Sequence, residues 1–243
     1  MRYVSFLNGV PALIVEKERL LAIGDLHIGI EDKFSGSGIA FPNAAKRAGE
    51  EIARLCAENG AVGIVLLGDV KHGLGNVTRQ EMAELREFFH GMRGLRVTIA
   101  RGNHDAYLGR MLDSIDAGAV VRKEVLLDDV ALMHGNSMPS AEAVMKRYIV
   151  CGHAHMAAQV NGIDRKAWLV APAGAGMEDH YERYNKGIRL VVAPAFNRLI
   201  VGSRMGPGTE EHIPLLNNGL FDFSGAKAYD LYGNELSGSA PAA

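Results

Sequence analysis

Short apolar runs that end in polar clusters recur along this chain. Leu20–Ile23 leads into Gly24-Asp25-Leu26-His27, residues 62–67 into Gly68-Asp69-Val70-Lys71-His72, and residues 95–100 into Arg101-Gly102-Asn103-His104-Asp105. Runs this short, bounded by polar turns, read as buried strands rather than helices. Between them the apolar period lengthens. Ala45, Ala48, Ile52, Leu55 and Cys56 make one helical stripe, beginning near Pro42, and Met82, Leu85, Phe89 and Met92 make another. Thr78 with Glu81 is a capping box that opens the second helix. Asn59-Gly60 and Gly94 close the two, and Leu108, Met111, Leu112 and Ile115 mark a shorter one. Strand and helix alternating through the first 115 residues predict a largely parallel sheet.

Beyond residue 115 the chain becomes rich in strands. They are expected near 119–121, 124–127 and 130–133, then, after a helix near 139–146, at Tyr148–Cys151. Further strands around 157–160, 167–170, 188–193 and 196–201 read as antiparallel. Two short strands around Asn8-Gly9 open the chain. Residues 29–41, polar and glycine-rich, predict a mobile surface loop, and Glu178-Asp179-His180 a solvated one. With no repeat and no linker, the expectation is one domain over 1–236 and a flexible tail over 237–243.

Composition narrows the setting. An apolar share of 48% in 243 residues supports a sizeable core. A net charge of -2 gives no global attraction for nucleic acid or an anionic membrane. Cys56 and Cys151 lie far apart and imply no disulfide framework, which suits a reducing compartment. The first residues lack the apolar stretch of a signal peptide, and no run reaches the ~18 apolar residues of a membrane span. A cytoplasmic protein without a membrane partner is expected.

Chemistry concentrates in the polar clusters. Six of the nine histidines fall in them once His134-Gly135 and Gly152-His153-Ala154-His155 are added. Two hard or borderline divalent ions need oxygen and imidazole donors, and a shared carboxylate holds such ions ~3.5–4 Å apart. On an extended segment Asp25 and His27 share a face, and so do His153 and His155. Asp69 can bridge, Asn103 adds a neutral oxygen, and His134 completes the set. Without a thiolate the donors favour Mn²⁺, then Fe²⁺, Zn²⁺ or Ni²⁺, over a cysteine-type zinc site. His104 can act as acid, base or ligand, and His72, Lys71 and Arg101 as contacts to substrate.

Each of these residues also has an ordinary reading. Asn103 can cap a helix, His104 can be a core histidine, His72 can face solvent, and Lys71 and Arg101 can make surface ion pairs. His90, His180 and His212 read as surface residues and Met82 and Met92 as core filler. Trp168 alone makes no stacking platform for nucleic acid.

Taken together and in order, Asp25-Leu26-His27, Gly68-Asp69, Gly102-Asn103-His104-Asp105, His134-Gly135 and Gly152-His153-Ala154-His155 resemble the calcineurin-like metallophosphoesterase superfamily. His72, in Gly-Asp-Val-Lys-His, and Ala193-Pro194-Ala195-Phe196-Asn197 are similar to small archaeal phosphoesterases related to bacterial ligase-associated metallophosphoesterases of DNA repair. The resemblance implies a four-layer α/β/β/α sandwich. It implies one metal on Asp25, His27, Asp69 and His155 and another on Asp69, Asn103, His134 and His153. It also implies that His104 contacts the phosphate and protonates the leaving oxygen, with Asp105 orienting it, during in-line attack by water. The expected activity is hydrolysis of phosphodiesters, with DNA or RNA as substrate and a helicase or ligase as partner. A phosphomonoesterase acting on small molecules or nucleotides is one alternative. A scaffold that kept the fold and lost catalysis is another, and the completeness of the ligand set and His104 speaks against it.

Overall fold

Two six-stranded sheets face each other, and the order of apolar residues along single strands shows why. The computed structural model describes residues 2–75, 78–204 and 213–236. The first sheet is built from β1 (Val4–Phe6), β2 (Leu13–Val15), β3 (Leu20–Ile23), β4 (Gly63–Leu66), β5 (Val97–Ala100) and β6 (Val120–Arg122), in that order. The first three are antiparallel, while β3 to β6 run parallel through crossover helices α1 (Ala44–Glu58), α2 (Arg79–Gly91) and α3 (Leu108–Ser114). Then follow β7 (Glu124–Leu126), β8 (Val130–Met133), β9 (Tyr148–Cys151), the hairpin β10 (Ala157–Val160) and β11 (Ile163–Lys166), and β12 (Trp168–Pro172). Helix α4 (Gly176–His180), β13 (Arg189–Val192), α5 (Pro214–Asn217) and β14 (Lys227–Tyr229) complete the chain. The second sheet has the order β14-β12-β13-β9-β8-β7.

Successive strand residues point to opposite faces. In β4, Ile64 and Leu66 enter a core with Ile52, Leu55, Leu85 and Phe88 of α1 and α2. Val65, with Leu67 just beyond the strand, packs instead between the sheets against Leu132, Val150, Trp168 and Val191. A third core sets Ile149 and Leu190 against Met177, Leu215 and Leu216 of the short helices α4 and α5. Three cores separate four layers, the α/β/β/α sandwich expected from the sequence. Truncating a fully buried residue such as Leu66 to alanine costs about 2–5 kcal/mol. Helices α1 and α2 approach closely because Gly49 faces the Phe88 carbonyl, where any Cβ would collide.

The capping box forms as expected: Thr78 Oγ1 accepts from the Glu81 N–H at 3.0 Å, and the Glu81 carboxylate accepts from the Thr78 N–H at 3.2 Å. Several other expectations are corrected. Residues 30–37, within the expected surface loop 29–41, form 3₁₀ turns, with Phe34 edge-on to Phe41. Asn43 is left-handed, so α1 starts at Ala44 and not at Pro42. The helix near 139–146 shrinks to a 3₁₀ turn at Ala143–Met145, and Glu178-Asp179-His180 lies within α4. The second sheet is mixed, because β9 pairs in parallel with both β8 and β13. Residues 196–201 form no strand. The Phe196 N–H bonds the Gly24 carbonyl at 2.9 Å, so this segment is spent on a loop of the first sheet. Strands β11 and β14 were not expected; both are short, and β11 carries three polar residues in a row. The tail 237–243 and His212 lie outside the described residues. Trp168 is fully buried and stacks on Phe6, with ring centroids 4.3 Å apart.

Candidate metal centre

The loops that follow β3, β4, β5, β8 and β9 meet at one end of the two sheets. Ligand sites in open α/β sheets form at such carboxyl ends. The residues do not get there by extended alternation, as the sequence suggested for Asp25 with His27 and for His153 with His155. Their φ values are positive: 57° at Asp25, 44° at His27, 48° at Asp69, 68° at His153 and 44° at His155. Such a backbone is strained for non-glycine residues and persists only where its surroundings fix it. Hydrogen bonds between loops do so here: Asp25 N–H to the Gly68 carbonyl at 3.2 Å, and His27 N–H to the Asp69 carbonyl at 2.8 Å. Gly102 permits a close approach, since a Cβ there would run into the Asp69 carboxylate.

Two groups of donors result, and Asp69 belongs to both. One is Asp25, His27, Asp69 and His155; the other is Asp69, His134 and His153, each with its ligand atoms within 4.8 Å of one another. His134 Nε2 lies 3.3 Å from Asp69 Oδ2 and 3.0 Å from Asn103 Oδ1, which brings Asn103 to the second group. In the first group His155 Nε2 is 3.3 Å from Asp25 Oδ1 and 3.2 Å from His27 Nε2. A further histidine group, His27, His72 and His104, flanks the first.

The donor set fits a cation. His134 Nδ1–H donates to the Leu67 carbonyl at 2.7 Å, which leaves the Nε2 lone pair aimed at two oxygens that are themselves acceptors. Lone pairs converging at this range repel unless a positive charge lies among them. A proton can supply that charge: burial lowers the His134 pKa, but the Asp69 hydrogen bond and the charges of Asp25 and Asp69 lift it to about 9. At His27 burial prevails over the same two carboxylates and pushes the pKa down to about 4. Asp25 and Asp69 lie below the usual carboxylate range despite burial, held there by His155 and His134 respectively. Hard oxygens with neutral imidazoles, and no thiolate, suit a divalent first-row ion.

The remaining expected residues separate. His104 N–H donates to Asp69 Oδ1 at 2.9 Å, and His104 Nδ1–H donates to the His72 carbonyl at 2.6 Å. Its Nε2 therefore faces the centre, 3.9 Å from Asp69 Oδ2. The expected role of Asp105 is corrected. Its carboxylate accepts from the Val70 and Gly102 N–H groups at 2.9 and 2.8 Å, so it fixes the loops, while the His72 carbonyl orients the His104 ring. The His72 ring stacks on that of His104, with centroids 5.7 Å apart, and its Nδ1 is 3.4 Å from His27 Nδ1. Lys71 is fully buried and donates to the Gly73 carbonyl, which removes it from substrate contact. Arg101 is exposed, its backbone N–H bonded to the Arg122 carbonyl. Sequence reasoning missed the Leu67 and His72 carbonyls, which no side-chain pattern can reveal.

Among solved structures, the fold is similar to Pseudomonas putida nuclease MPE, at 18% identity and a TM-score of 0.62 over 94% of this chain and 96% of that one. YfcE, a phosphoesterase from E. coli, aligns over 60% of this chain and 75% of its own, at 25% identity and a TM-score of 0.34. Comparison with curated proteins gives no match. The family description of a calcineurin-like phosphoesterase superfamily domain matches residues 19–190, a stretch that holds every side chain of the centre. The chain belongs to the calcineurin-like phosphoesterase superfamily.

Proposed function

We propose that this phosphoesterase uses two divalent ions, with Mn²⁺ as the working metal, to hydrolyse phosphodiesters in DNA or RNA. The observation that carries the reading is Asp69, shared by two donor groups, with His104 Nε2 beside it. Asp25, His27, Asp69 and His155 would hold one ion, and Asp69, Asn103, His134 and His153 the other. Two such ions would neutralise charge on the phosphate and acidify a water molecule. His104 has Nδ1–H committed to the His72 carbonyl, so Nε2 is the atom that hydrogen-bonds the phosphate or passes a proton to the leaving oxygen. His72, stacked on it, is placed to touch the same phosphate. Lys71 and Asp105 act through the loops they fasten.

Support for a diester comes from the repair-related sequence motifs and from a structural relative that is named a nuclease. The net charge of -2 argues against tight grip on a long strand, because nucleic-acid affinity comes largely from neutralised phosphates. Two ions less Asp25 and Asp69 leave a local charge of about +2. Binding should therefore be weak and salt-sensitive, with a helicase or ligase presenting the strand in the cytoplasm. No helix among the described residues is long and apolar enough to cross a membrane. The test compares kcat/KM on an aryl diester and the matching monoester with Mn²⁺, together with cleavage of single-stranded DNA and RNA. Preference for the diester by at least about tenfold, with cleavage of a single strand, is expected. A monoester preference with both nucleic acids intact would replace this reading by the phosphatase one.

A further inference from the structure

Lys166, at the end of β11, is a half-buried cation with no acidic hydrogen-bond partner among the described residues. Its Nζ donates to the carbonyls of Ala195 and Asn197, at 2.6 and 2.5 Å. The segment it holds is the one that failed to form a strand. Asn197 Nδ2 donates to the Leu26 carbonyl at 2.7 Å, and the Asn197 N–H reaches the Asp25 carbonyl at 3.4 Å. Asn197 Oδ1 meanwhile accepts from the Leu199 N–H at 2.8 Å, which fixes the amide. With Phe196 bonded to Gly24, residues 196 and 197 grip the backbone of 24–26. That backbone is the strained one that aims Asp25 and His27. The second donor group is held differently: His134 rests on the Leu67 carbonyl, and the His153 N–H donates to the Asp25 carboxylate at 3.0 and 3.1 Å.

Desolvating an ammonium is costly, and burial pushes Lys166 down to about 8 although Asp25 pulls it up. Solvated lysine would avoid that cost, so the position needs what its two hydrogen bonds give. We infer that Lys166 and Asn197 are positioning residues that set chiefly the affinity of the Asp25–His27–Asp69–His155 group for its ion, the His134 group feeling them only through the Asp25 carboxylate that holds the His153 N–H. The inference rests on the two-metal reading above.

The test is Mn²⁺ binding to the metal-stripped full chain by calorimetry, with thermal unfolding of the same samples. The wild type should bind two ions per chain. Lys166→Met and Asn197→Ala should each weaken one of the two by about 10- to 100-fold, as loss of an orienting partner does, and the other by clearly less. Lys166→Arg, which keeps charge and donors, should restore most of the loss. A wild type binding fewer than two ions would sink the two-metal reading itself. With two ions bound by the wild type, unchanged affinities in Lys166→Met, or equal loss at both sites, would overturn the inference. So would a lowered unfolding temperature with intact binding, because that outcome marks a residue needed for folding alone. Should Lys166→Met fail to fold, Asn197→Ala decides by the same criteria.

Discussion

Each donor group of the centre contains a buried histidine beside Asp69, and the two rings end with opposite proton affinities. His27 is buried and pushed down to about 4, a neutral ring at any ordinary pH. His134 is also buried, yet Asp69 and Asp25 hold it up to about 9. The difference lies in what fixes each ring. His134 is tied through Nδ1 to the Leu67 carbonyl and presses Nε2 onto Asp69 at 3.3 Å. His27 meets Asp69 only at 3.6 Å and lies against three other imidazoles, those of His72, His104 and His155. Burial alone therefore does not decide protonation; the orientation of one lone pair does. Near neutral pH an ion that binds His134 must displace a proton, whereas His27 offers its lone pair with no proton to lose.

Asp69 joins the two groups, so its removal should have the largest effect. Asp69→Asn removes the shared charge and should abolish binding of both ions and lower kcat/KM by about 10³-fold or more, since ions of this kind supply several kcal/mol at the transition state. His155→Ala should lose one ion and His134→Ala the other. Metal content after dialysis, by mass spectrometry, checks all three. Two ions still bound to Asp69→Asn would show that the groups are independent.

How far the sequence could be read follows the same division. Asp25, Asp69, Asn103 and His134 each follow a short apolar run, so their loops were legible at the ends of strands. The four layers were implied by the family resemblance, and the helix stripes in one half of the chain and the strand-rich pattern in the other agreed with them. What escaped was set by backbone rather than by side chains. Asp25 and His27 converge through left-handed φ, not through strand alternation, and nothing in Asp-Leu-His announces that. Residues 196–201 look like a strand by apolarity, but their backbone pairs with the Gly24-Asp25 loop. Lys71 looked like a cationic contact because lysine is seldom buried, and here its ammonium satisfies the Gly73 carbonyl. In the first two cases tertiary hydrogen bonds overrode the local pattern, and at Lys71 burial and a bond two residues along the chain did.

His104 sharpens the comparison, because it touches Asp69 through its backbone while its ring belongs with His27 and His72. His104→Ala keeps the backbone N–H, so both ions should stay. Turnover on a poor leaving group should fall by roughly 10²–10⁴-fold, the usual range for general acid catalysis. On an aryl ester, whose leaving group needs no proton, the loss should be clearly smaller. Equal losses on the two substrates would assign His104 to phosphate binding alone, and loss of an ion would make it a ligand.

The smallest effect expected concerns the thiols. The loop after β9 gives His155 to one group and His153 to the other, and Cys151 stands directly before it. Burial, aided by the Asp25 charge, raises the Cys151 thiol far above its ordinary value, and burial alone raises Cys56 in α1 to about 11. Thiols so placed react only when the structure opens. Cys56 packs among α1, α2 and the first sheet and should open only with the whole fold. Cys151 depends on a loop whose strained histidines gain from any bound ion, so local opening should expose it first. Alkylation with iodoacetamide should be slow at both sites with Mn²⁺ present. After chelation Cys151 should react several-fold faster, up to about tenfold, while Cys56 stays slow. Peptide mass spectrometry of timed samples separates the two rates. A Cys56 rate that rises in step with Cys151 would mean that the ions hold the whole domain rather than the junction of the two groups, and the contrast drawn between them would lose its structural basis.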